Sequence, residues 1–447
     1  MTTTDATGVT WPAWESTAFY LQEPEAMYAA IATQRHEAPV YWYEPPGYPT
    51  GFWVLSKWEH QRFVGSHPEL FCSRNGFAIG DASDPATVLH QLPAWAREEL
   101  RRPGVTPAEA RHLVALGKLS MGDPNFESLI LSDPPRHGQI RSVLMKALRP
   151  SRVRGLKPRI AEIADEFIAR VKPGETTDFV TTVGQIPAGL MTELIGVPPE
   201  MREEFIEMAS AQMQAITIDP DRTPEETARI TGLIGKFHAY CEELLAERRA
   251  DGADGDDLAS LIASSTYDGQ PIPKGMAISY IHTFVNAGET TRALLSFVAL
   301  ALTEHPDQRK LLAERPELVA NAIQETLRFH PLNFTGCRTA TQDVEIGGQT
   351  IRAGDYVVMA YASANRDEDI WDDPDNFDVT RAFDRDHQSF GYGEHSCPGA
   401  LLAKIDSTTI FERLIARYPD WEISGTPVRW ATPFLQGMGK LPLRFSS

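Results

Sequence analysis

The amino-acid sequence predicts a mainly α-helical fold with small β-sheets, arranged as a single domain over residues 1–447. Three observations favour this class. Apolar residues recur at helical spacing through most of residues 150–249, and residues 276–304 contain no proline and one glycine. Strand-like runs are short and lie towards the two ends of the chain. No repeat or linker-like segment separates these regions, so we expect one domain.

The first elements predicted along the chain are two strands and a series of helices. Residues 40–43 (VYWY) and 51–55 (GFWVL) are aromatic and β-branched runs around a Pro-Pro-Gly turn, which predicts a β-hairpin. The helical pattern of residues 150–249 is broken at Pro198-Pro199 and at Asp219-Pro220. We therefore expect several separate helices in this part of the chain.

A long helix is predicted from about Met276 to Glu304. It would be about 40 Å long at 1.5 Å per residue, enough to cross a whole domain. A second clear helix begins at Pro316 and runs to about Phe329, before His330-Pro331 ends it. Short strands follow at 344–346 and 356–359, which adds a small sheet to the helical body.

Composition and charge exclude several classes of function. The chain has 61 acidic and 42 basic side chains and a net charge of -19, which argues against a nucleic-acid partner. Cys72, Cys241, Cys337 and Cys397 are far apart, so they predict neither a disulfide framework nor a zinc site. The N-terminal sequence MTTTD lacks the regions of a signal peptide, and no apolar run approaches the roughly 20 residues of a membrane span. We expect a cytoplasmic protein.

The strongest functional motif is the segment 390–399, which reads FGYGEHSCPG. Gly391 and Gly393 permit a tight backbone path, and Cys397 comes just before an expected helix from Pro398 onward. A thiolate there would lie near the positive end of the helix dipole and near backbone N–H groups, which lower its pKa. The alternative is an inert cysteine in a glycine-rich turn.

This segment resembles the cysteine-ligand signature of the cytochrome P-450 family, Phe-Gly-x-Gly-x-x-x-Cys-x-Gly. The resemblance extends from about Trp53 to the C-terminus and implies the cytochrome P-450 fold, with the long helix over a haem. It implies that Cys397 donates its thiolate to the iron of haem b and favours O–O cleavage. In the same resemblance Phe390 packs near the cysteine, Gly399 leaves room beneath the porphyrin, and His395 is a haem-propionate partner.

Residues 286–291 (NAGETT) lie midway along the long helix and resemble the family's oxygen-activating element, Ala/Gly-Gly-x-Asp/Glu-Thr. The resemblance implies that Thr290 hydrogen-bonds to the oxygen being activated and to its water, while Glu289 relays protons from solvent. The alternative is a hydroxyl that bends the helix beside a surface glutamate. If Ala287-Gly288 is matched to the family instead, Thr291 becomes the catalytic hydroxyl and the acid has no role.

Four residues are predicted to contact the substrate. His282, Asn286 and Thr290 have the spacing i, i+4 and i+8, so they form a polar stripe that would face the haem. We expect His282 and Asn286 to bind substrate; the alternative is that His282 turns aside and bonds a neighbour. The resemblance adds Phe334 and Phe434 as lining residues.

Further haem contacts are implied by the resemblance. His137 and Arg141, at i and i+4, match the family's His-x-x-x-Arg element and suit a propionate carboxylate. Arg338 matches another propionate-binding arginine, and Ala287 is the small residue over the haem.

A structural cage around the haem pocket is implied by the Glu-x-x-Arg element Glu325-Thr326-Leu327-Arg328. Its two charged side chains share a helix face and can pair. Arg381 matches the family's third member of this cage. We assign these residues to folding of the pocket and not to chemistry.

The segment 83–120 carries basic side chains interleaved with acidic ones; the basic ones include Arg97, Arg101, Arg102, Arg111, His112 and Lys118. A solvated helix face is expected here. The alternative is a clamp for an anionic group of the substrate.

The resemblance implies a soluble bacterial-type haem-thiolate monooxygenase that uses O₂ to hydroxylate or dealkylate a small hydrophobic lipid, terpenoid, steroid or aromatic molecule. No flavin- or iron–sulfur-binding module is visible, so we expect no bound flavin and expect electrons from a separate ferredoxin and ferredoxin reductase. Two alternatives stay open: a peroxide-driven peroxygenase, and a non-catalytic haem-binding sensor. The pair Glu289-Thr290 argues against the sensor.

Overall fold

The structure of the chain is a computed structural model that describes residues 2–4, 10–83, 89–120, 126–216, 222–267 and 269–446. The helices α1 to α17 are, in chain order, Thr17–Leu21, Pro24–Glu37, Trp58–Ser66, Ala94–Leu100, Pro107–Ser120, Arg136–Ala147, Pro150–Gly155, Lys157–Ile168, Ile186–Ile195, Arg202–Ile216, Pro224–Ala250, Leu258–Ser264, Lys274–Glu304, Pro306–Glu314, Val319–Phe329, Tyr361–Ala364 and Ala400–Arg417.

The strands are short, and most belong to hairpins. Strands β1 to β16 are, in chain order, Thr2–Thr4, Thr10–Pro12, Val40–Tyr43, Phe52–Leu55, Phe71–Cys72, Thr176–Asp178, Thr266–Tyr267, Gln270–Pro271, Gly336–Ala340, Val344–Ile346, Gln349–Ile351, Tyr356–Met359, Trp421–Ile423, Val428–Ala431, Gln436–Lys440 and Pro442–Phe445. The predicted class, mainly α with small β-sheets, is confirmed.

Helix α13 is the predicted long helix, and it lies at the centre of the fold. Its apolar residues extend around most of its circumference, as expected for a helix buried in the core of a large protein. It packs against α9, α10, α11, α15, α17 and β15. Pro306 opens α14 directly after it, because proline cannot continue the hydrogen bonding of the preceding helix. Among the described residues, no helix has both the length and the apolar character that crossing a bilayer requires.

The largest sheet has the strand order β3-β4-β12-β9-β5. The predicted hairpin is confirmed as the antiparallel pair β3–β4, while β12 joins β4 in parallel. Strands β10 and β11 form a second hairpin around Gly347 and Gly348, whose φ angles of 57° and 76° suit glycine. Arg338 lies in β9, an interior strand that pairs with β12 on one side and with β5 on the other.

Two predictions about helix boundaries need correction. The helix expected from Pro316 begins at Val319, because residues 316–318 form a 3₁₀ turn first. The stretch 150–249 is not wholly helical, since β6 pairs there with β16 at the other end of the chain. Strand pairing between distant segments leaves no local pattern in the sequence. The expected break at Asp219-Pro220 lies outside the described residues.

Candidate active site

The segment 390–399 forms a tight loop that ends at the start of α17. Gly391 and Gly393 have φ angles of 64° and 74°, in the left-handed region that favours glycine. A Cβ atom on Gly393 would overlap the carbonyl oxygen of Gly65, so α3 can pack against the loop only if this residue is glycine. The N–H of Cys397 donates to the Phe390 carbonyl at 2.8 Å, which closes the loop.

The Cys397 thiol is held by main-chain donors and faces a cavity. The N–H groups of Gly399 and Ala400 hydrogen-bond to its sulfur. Burial nevertheless raises the pKa of the Cys397 thiol, and this effect outweighs those N–H groups and the Arg141 cation, which lower it. The predicted lowering by main-chain N–H groups is present, but burial outweighs it. The thiol is exposed to the cavity beside it, where a coordinated metal ion would deprotonate it.

The inner cavity is the space between α13 and α17 that is lined by Ala287, Thr290, Phe390, Cys397 and Leu402, among others. Its volume is about 190 Å³. Its walls are mostly apolar. A flat hydrophobic group with a metal ion at its centre could therefore lie between the long helix and the cysteine.

The outer cavity adjoins the inner one and lies between α13, α10, α11 and the β14–β15 hairpin. It is lined by Ile230, Glu289, Thr290, Leu332 and Leu435, among others. Thr290 and Leu332 line both cavities, so the two spaces meet at these side chains. Thr290 therefore lies between the outer cavity and the space beside the cysteine.

A basic cluster formed by His137, Arg141, Arg338 and His395 lies beside the cysteine loop. The rings of His137 and His395 stand 4.1 Å apart, and His395 Nε2 lies 3.0 Å from Ser73 Oγ. The Nε2 atom of His137 is buried and has no partner among the described residues.

The charges of the basic cluster favour an anion. Burial together with the Arg141 and Arg338 cations lowers the pKa of His137 to about 4. Burial and the Arg338 cation, with smaller effects from His137 and Arg141, lower the pKa of His395 to about 2. The crowded N–H groups of such a cluster can donate their hydrogen bonds to carboxylates. The chain therefore fits a haem: a thiol for the iron, an apolar slot for the porphyrin, and the basic cluster for the propionates.

On α13 the two threonines hold different positions. Thr290 Oγ1 donates to the carbonyls of Asn286 and Ala287 at 3.2 Å each, whereas Thr291 Oγ1 donates to Ala287 at 2.8 Å. Thr290 lines both cavities and Thr291 only the inner one. Glu289 lines the outer cavity and forms an ion pair with Arg292.

The predicted polar stripe is only partly present. Asn286 and Thr290 line the inner cavity, as expected. His282 lines neither cavity: its ring lies 6.5 Å from that of Phe237 in α11, and its Nε2 atom lies 3.3 Å from Asn286 Nδ2. Four residues advance an α-helix by about 400°, so His282 is offset by about 80° from Thr290 around the helix, and its ring faces α11.

Phe334 and Phe434 are also turned away from the cavities. Phe334 is fully buried against Tyr20, with ring centroids 4.6 Å apart, and Phe434 packs against Phe77 at 5.4 Å. Successive side chains of an extended segment point to opposite sides. Because Asn333 lines the outer cavity, its neighbour Phe334 faces the core. Phe434 stays partly exposed beside Phe77.

The predicted cage is assembled in the structure. Glu325 pairs with Arg328 at 2.7 Å and with Arg381 at 3.1 Å, and the Glu325 and Arg328 side chains are fully buried. Arg328 also donates to the carbonyls of Asn365 and Pro374. The cage thus ties α15 to the long loop that leads into the cysteine segment.

Arg111 and Lys118, from the basic segment, do not point at either cavity. Lys118 forms a buried ion pair with Asp81, and Arg111 donates to the Gly354 carbonyl at 3.1 Å. These two side chains hold α5 against the sheet. Residues 84–88 of the same segment lie outside the described residues.

Sequence reasoning missed Asp406. This side chain is buried in α17, lines the inner cavity, and its Oδ1 atom has no partner in the described parts of the chain. Burial raises the pKa of the Asp406 carboxyl to about 7. The signal was available, because Asp406 interrupts the buried apolar face formed by Leu402 and Ile410 at helical spacing.

Comparison with known proteins agrees with this geometry. Residues 199–432 match the family model for cytochrome P450. The chain is 34% identical to linalool 8-monooxygenase of Pseudomonas putida, over 94% of this chain and 95% of that one. It is also 34% identical to vitamin D(3) 25-hydroxylase of Pseudonocardia autotrophica, over 70% of this chain and 77% of that one. The crystal structure of CYP108D1 from Novosphingobium aromaticivorans DSM12444 superposes with a TM-score of 0.77, at 26% identity over 94% of each chain.

The fold and the site define an oxidoreductase with a thiol-bearing loop beneath a long helix. The chain belongs to the cytochrome P450 family. It is a monooxygenase by family, and the family implies a haem iron. The cytochrome P-450 fold predicted from the cysteine segment and the long helix is confirmed.

Proposed function

We propose that the chain is a haem b monooxygenase, in which Cys397 would hold the iron, and that it inserts one oxygen atom of O₂ into a small hydrophobic substrate. The observation that carries this proposal is the position of the Cys397 thiol, at one wall of an apolar cavity whose opposite wall bears Thr290. When bound, the haem supplies the redox chemistry that activates O₂.

The cofactor would be held at three places. Cys397 binds the iron, while Gly391 and Gly399 keep the loop narrow and Phe390 packs beside the sulfur. On the opposite wall, the small side chain of Ala287 in α13 would leave space for the porphyrin. The basic cluster of His137, Arg141, Arg338 and His395 neutralises the propionates, and the unpartnered Nε2 of His137 supports this role.

Proton delivery is assigned to Thr290 and Glu289. The Thr290 hydroxyl lies where the two cavities meet, and its hydrogen bonds of 3.2 Å to main-chain carbonyls are long enough to be exchanged for others. Glu289 faces the outer cavity and can carry a proton from there towards Thr290. Thr291 is less suited, because it is buried and does not reach the outer cavity.

The substrate and the electron donor are inferred from the outer cavity and the relatives. The names of the two relatives favour a terpenoid- or steroid-sized molecule. In the outer cavity such a molecule would contact the apolar side chains of Ile230, Leu332 and Leu435, which stand beside charged ones such as Glu226 and Arg229. Electrons would come from a separate ferredoxin and ferredoxin reductase, without a bound flavin. We take the chain as one domain, because α13 contacts helices from both halves of the sequence.

The test is turnover of linalool by the haem-loaded protein, with O₂ and NADPH and with a surrogate ferredoxin and reductase. We expect an oxygenated product that contains one atom of labelled O₂ and whose amount follows NADPH use. Product formed with peroxide but never with the reductase would indicate a peroxygenase. Bound haem without turnover of any substrate in a panel of terpenoids and steroids would indicate a sensor.

A further inference from the structure

A third cavity adjoins the outer cavity and lies between α4, α5, α10 and α11. It is lined by Arg97, Lys118, Arg222, Thr227 and Ile230, among others, and its volume is about 380 Å³. Arg222 and Ile230 also line the outer cavity, so the two spaces meet at these side chains. The third, outer and inner cavities therefore adjoin one another in series, and an elongated molecule could occupy more than one of them.

The charge of the third cavity is opposite in sign to that of the whole chain. Of its lining residues that the structure describes, every charged one is basic: Arg97, Lys118 and Arg222. The chain as a whole has a net charge of -19. Cations gathered in one cleft raise the local concentration of anions, because the low-dielectric walls focus their field.

Two of these three cations are held in place by neighbours. Lys118 is already neutralised, since its Nζ atom pairs with the buried Asp81 carboxylate at 2.5 Å. Arg222 donates to the side-chain oxygen of Gln91 at 3.3 Å and to the main-chain carbonyl of Gln214. These contacts fix the Arg222 guanidinium where the third and outer cavities meet.

Arg97 is the cation that no acidic side chain neutralises. It is partly buried, and its guanidinium makes no ion pair with the described parts of the chain. Of the two acids that follow it in α4, Glu98 is exposed and Glu99 pairs with Arg102 at 3.3 Å. Water can hydrate this guanidinium but cannot neutralise its charge, so a counter-ion here would be bound favourably.

The acidic side chains of the outer cavity are already engaged. Glu289 forms an ion pair with Arg292, and Glu226 accepts a hydrogen bond from the Thr223 main-chain N–H at 2.9 Å. The outer cavity thus mixes both signs of charge, whereas the charged lining of the third cavity is basic. An anionic group is therefore favoured in the third cavity over the outer one.

We propose that the third cavity binds the anionic end of an amphiphilic substrate, a carboxylate or phosphate on an apolar body, with Arg97 and Arg222 as binding residues. This rests on the proposed function, since it names the substrate class of the same site. The planar fork of an arginine suits the paired oxygens of either anion. The apolar body would lie in the outer cavity, along Ile230 and Leu332. The clamp considered for the basic segment 83–120 is then formed by Arg97, together with an arginine outside that segment.

The test compares anionic amphiphiles with uncharged ones of the same chain length. Binding of decanoate, decyl phosphate, methyl decanoate and decan-1-ol to the haem-loaded protein is measured by equilibrium dialysis, at low and at high salt. We expect at least one anion to bind roughly 5- to 10-fold more tightly than the uncharged pair at low salt, as for one charge-assisted hydrogen bond. Salt screens a partly exposed charge, so this preference should fall at high salt. The anion that binds more tightly identifies the group the cavity takes.

Arg97→Gln should lower the affinity for the anion to that of its uncharged counterparts and leave their own affinity unchanged. Arg101→Gln is the matched control, because it removes the same charge from the same segment, but Arg101 is exposed and does not line the third cavity. This control should keep the preference for anions.

Three results would overturn the proposal: equal binding of charged and uncharged ligands by the wild type, the same anion preference in Arg97→Gln as in Arg101→Gln, or no binding of either anion. The ferrous–CO spectrum of the same samples reports on the proposed function separately. A thiolate-type spectrum without a preference for anions refutes only the role of the third cavity.

Discussion

Replacement of Arg328 by alanine tests the physical basis of the haem pocket. All five N–H groups of the buried Arg328 guanidinium are engaged: two with Glu325 at 2.7 and 2.8 Å, and the rest with the carbonyls of Asn365, Pro374 and Asn376 at 2.7 to 3.1 Å. Removing one partner of a buried ion pair costs about 3–5 kcal/mol. In Arg328→Ala, Arg381 still pairs with Glu325. We therefore expect the loss of stability to lie near the lower end of this range, at about 3 kcal/mol.

That loss is a large part of the roughly 5–15 kcal/mol that stabilises a typical domain. We expect Arg328→Ala to lower the free energy of unfolding by about 3 kcal/mol in denaturant titrations and to contain much less haem as purified. Arg315→Ala is the control, because the Arg315–Glu317 pair is exposed and its removal should cost less than about 1 kcal/mol. An Arg328→Ala protein with wild-type stability and haem content would refute the cage as a structural device.

Three further predictions concern the cavity walls. Thr290→Ala should uncouple NADPH use from product while Thr291→Ala retains coupling, measured as product per NADPH; the reverse result would move the catalytic hydroxyl to Thr291. Asp406→Asn should stabilise the protein at pH 8 by up to about 4 kcal/mol and have little effect near pH 4, because a carboxyl pKa raised from about 4 to about 7 penalises folding as pH rises through that window. Urea titrations at both pH values test this, and a gain independent of pH would contradict it. Arg141→Leu should weaken haem binding about tenfold, from the loss of one charge-assisted hydrogen bond; unchanged transfer of haem to apomyoglobin would show that Arg141 does not hold a propionate.

The contiguous parts of the site could be predicted from the sequence. The loop at 390–399 and the pair Glu325–Arg328 are local, because neighbours along the chain fix their geometry. The long helix was also visible, since helical periodicity and the proline that follows it are local features. Local patterns of this kind were sufficient to predict the fold class.

The direction in which side chains face could not be predicted from spacing alone. Helical spacing placed His282 in line with Asn286, but each i, i+4 step is offset by about 40° around the helix, so His282 falls outside the cavity wall that Asn286 and Thr290 line. At Gly288 this helix approaches α9 so closely that a Cβ atom would lie 3.2 Å from Met191 and 3.3 Å from Ala188. This contact turns the 288 side towards α9, and His282 faces α11. Phe334 was misplaced for a similar reason, because the pairing of distant strands decides which alternate residue faces the cavity.

The ferrous–CO spectrum of wild type and Cys397→Ser tests the central claim most directly. Wild-type protein, reduced and saturated with CO, should give the red-shifted Soret band of a thiolate-ligated haem. Cys397→Ser should lose that band, while the basic cluster and the apolar slot still retain some haem. An unchanged spectrum in Cys397→Ser would contradict the assignment of Cys397 as the iron ligand, and with it the account of the site.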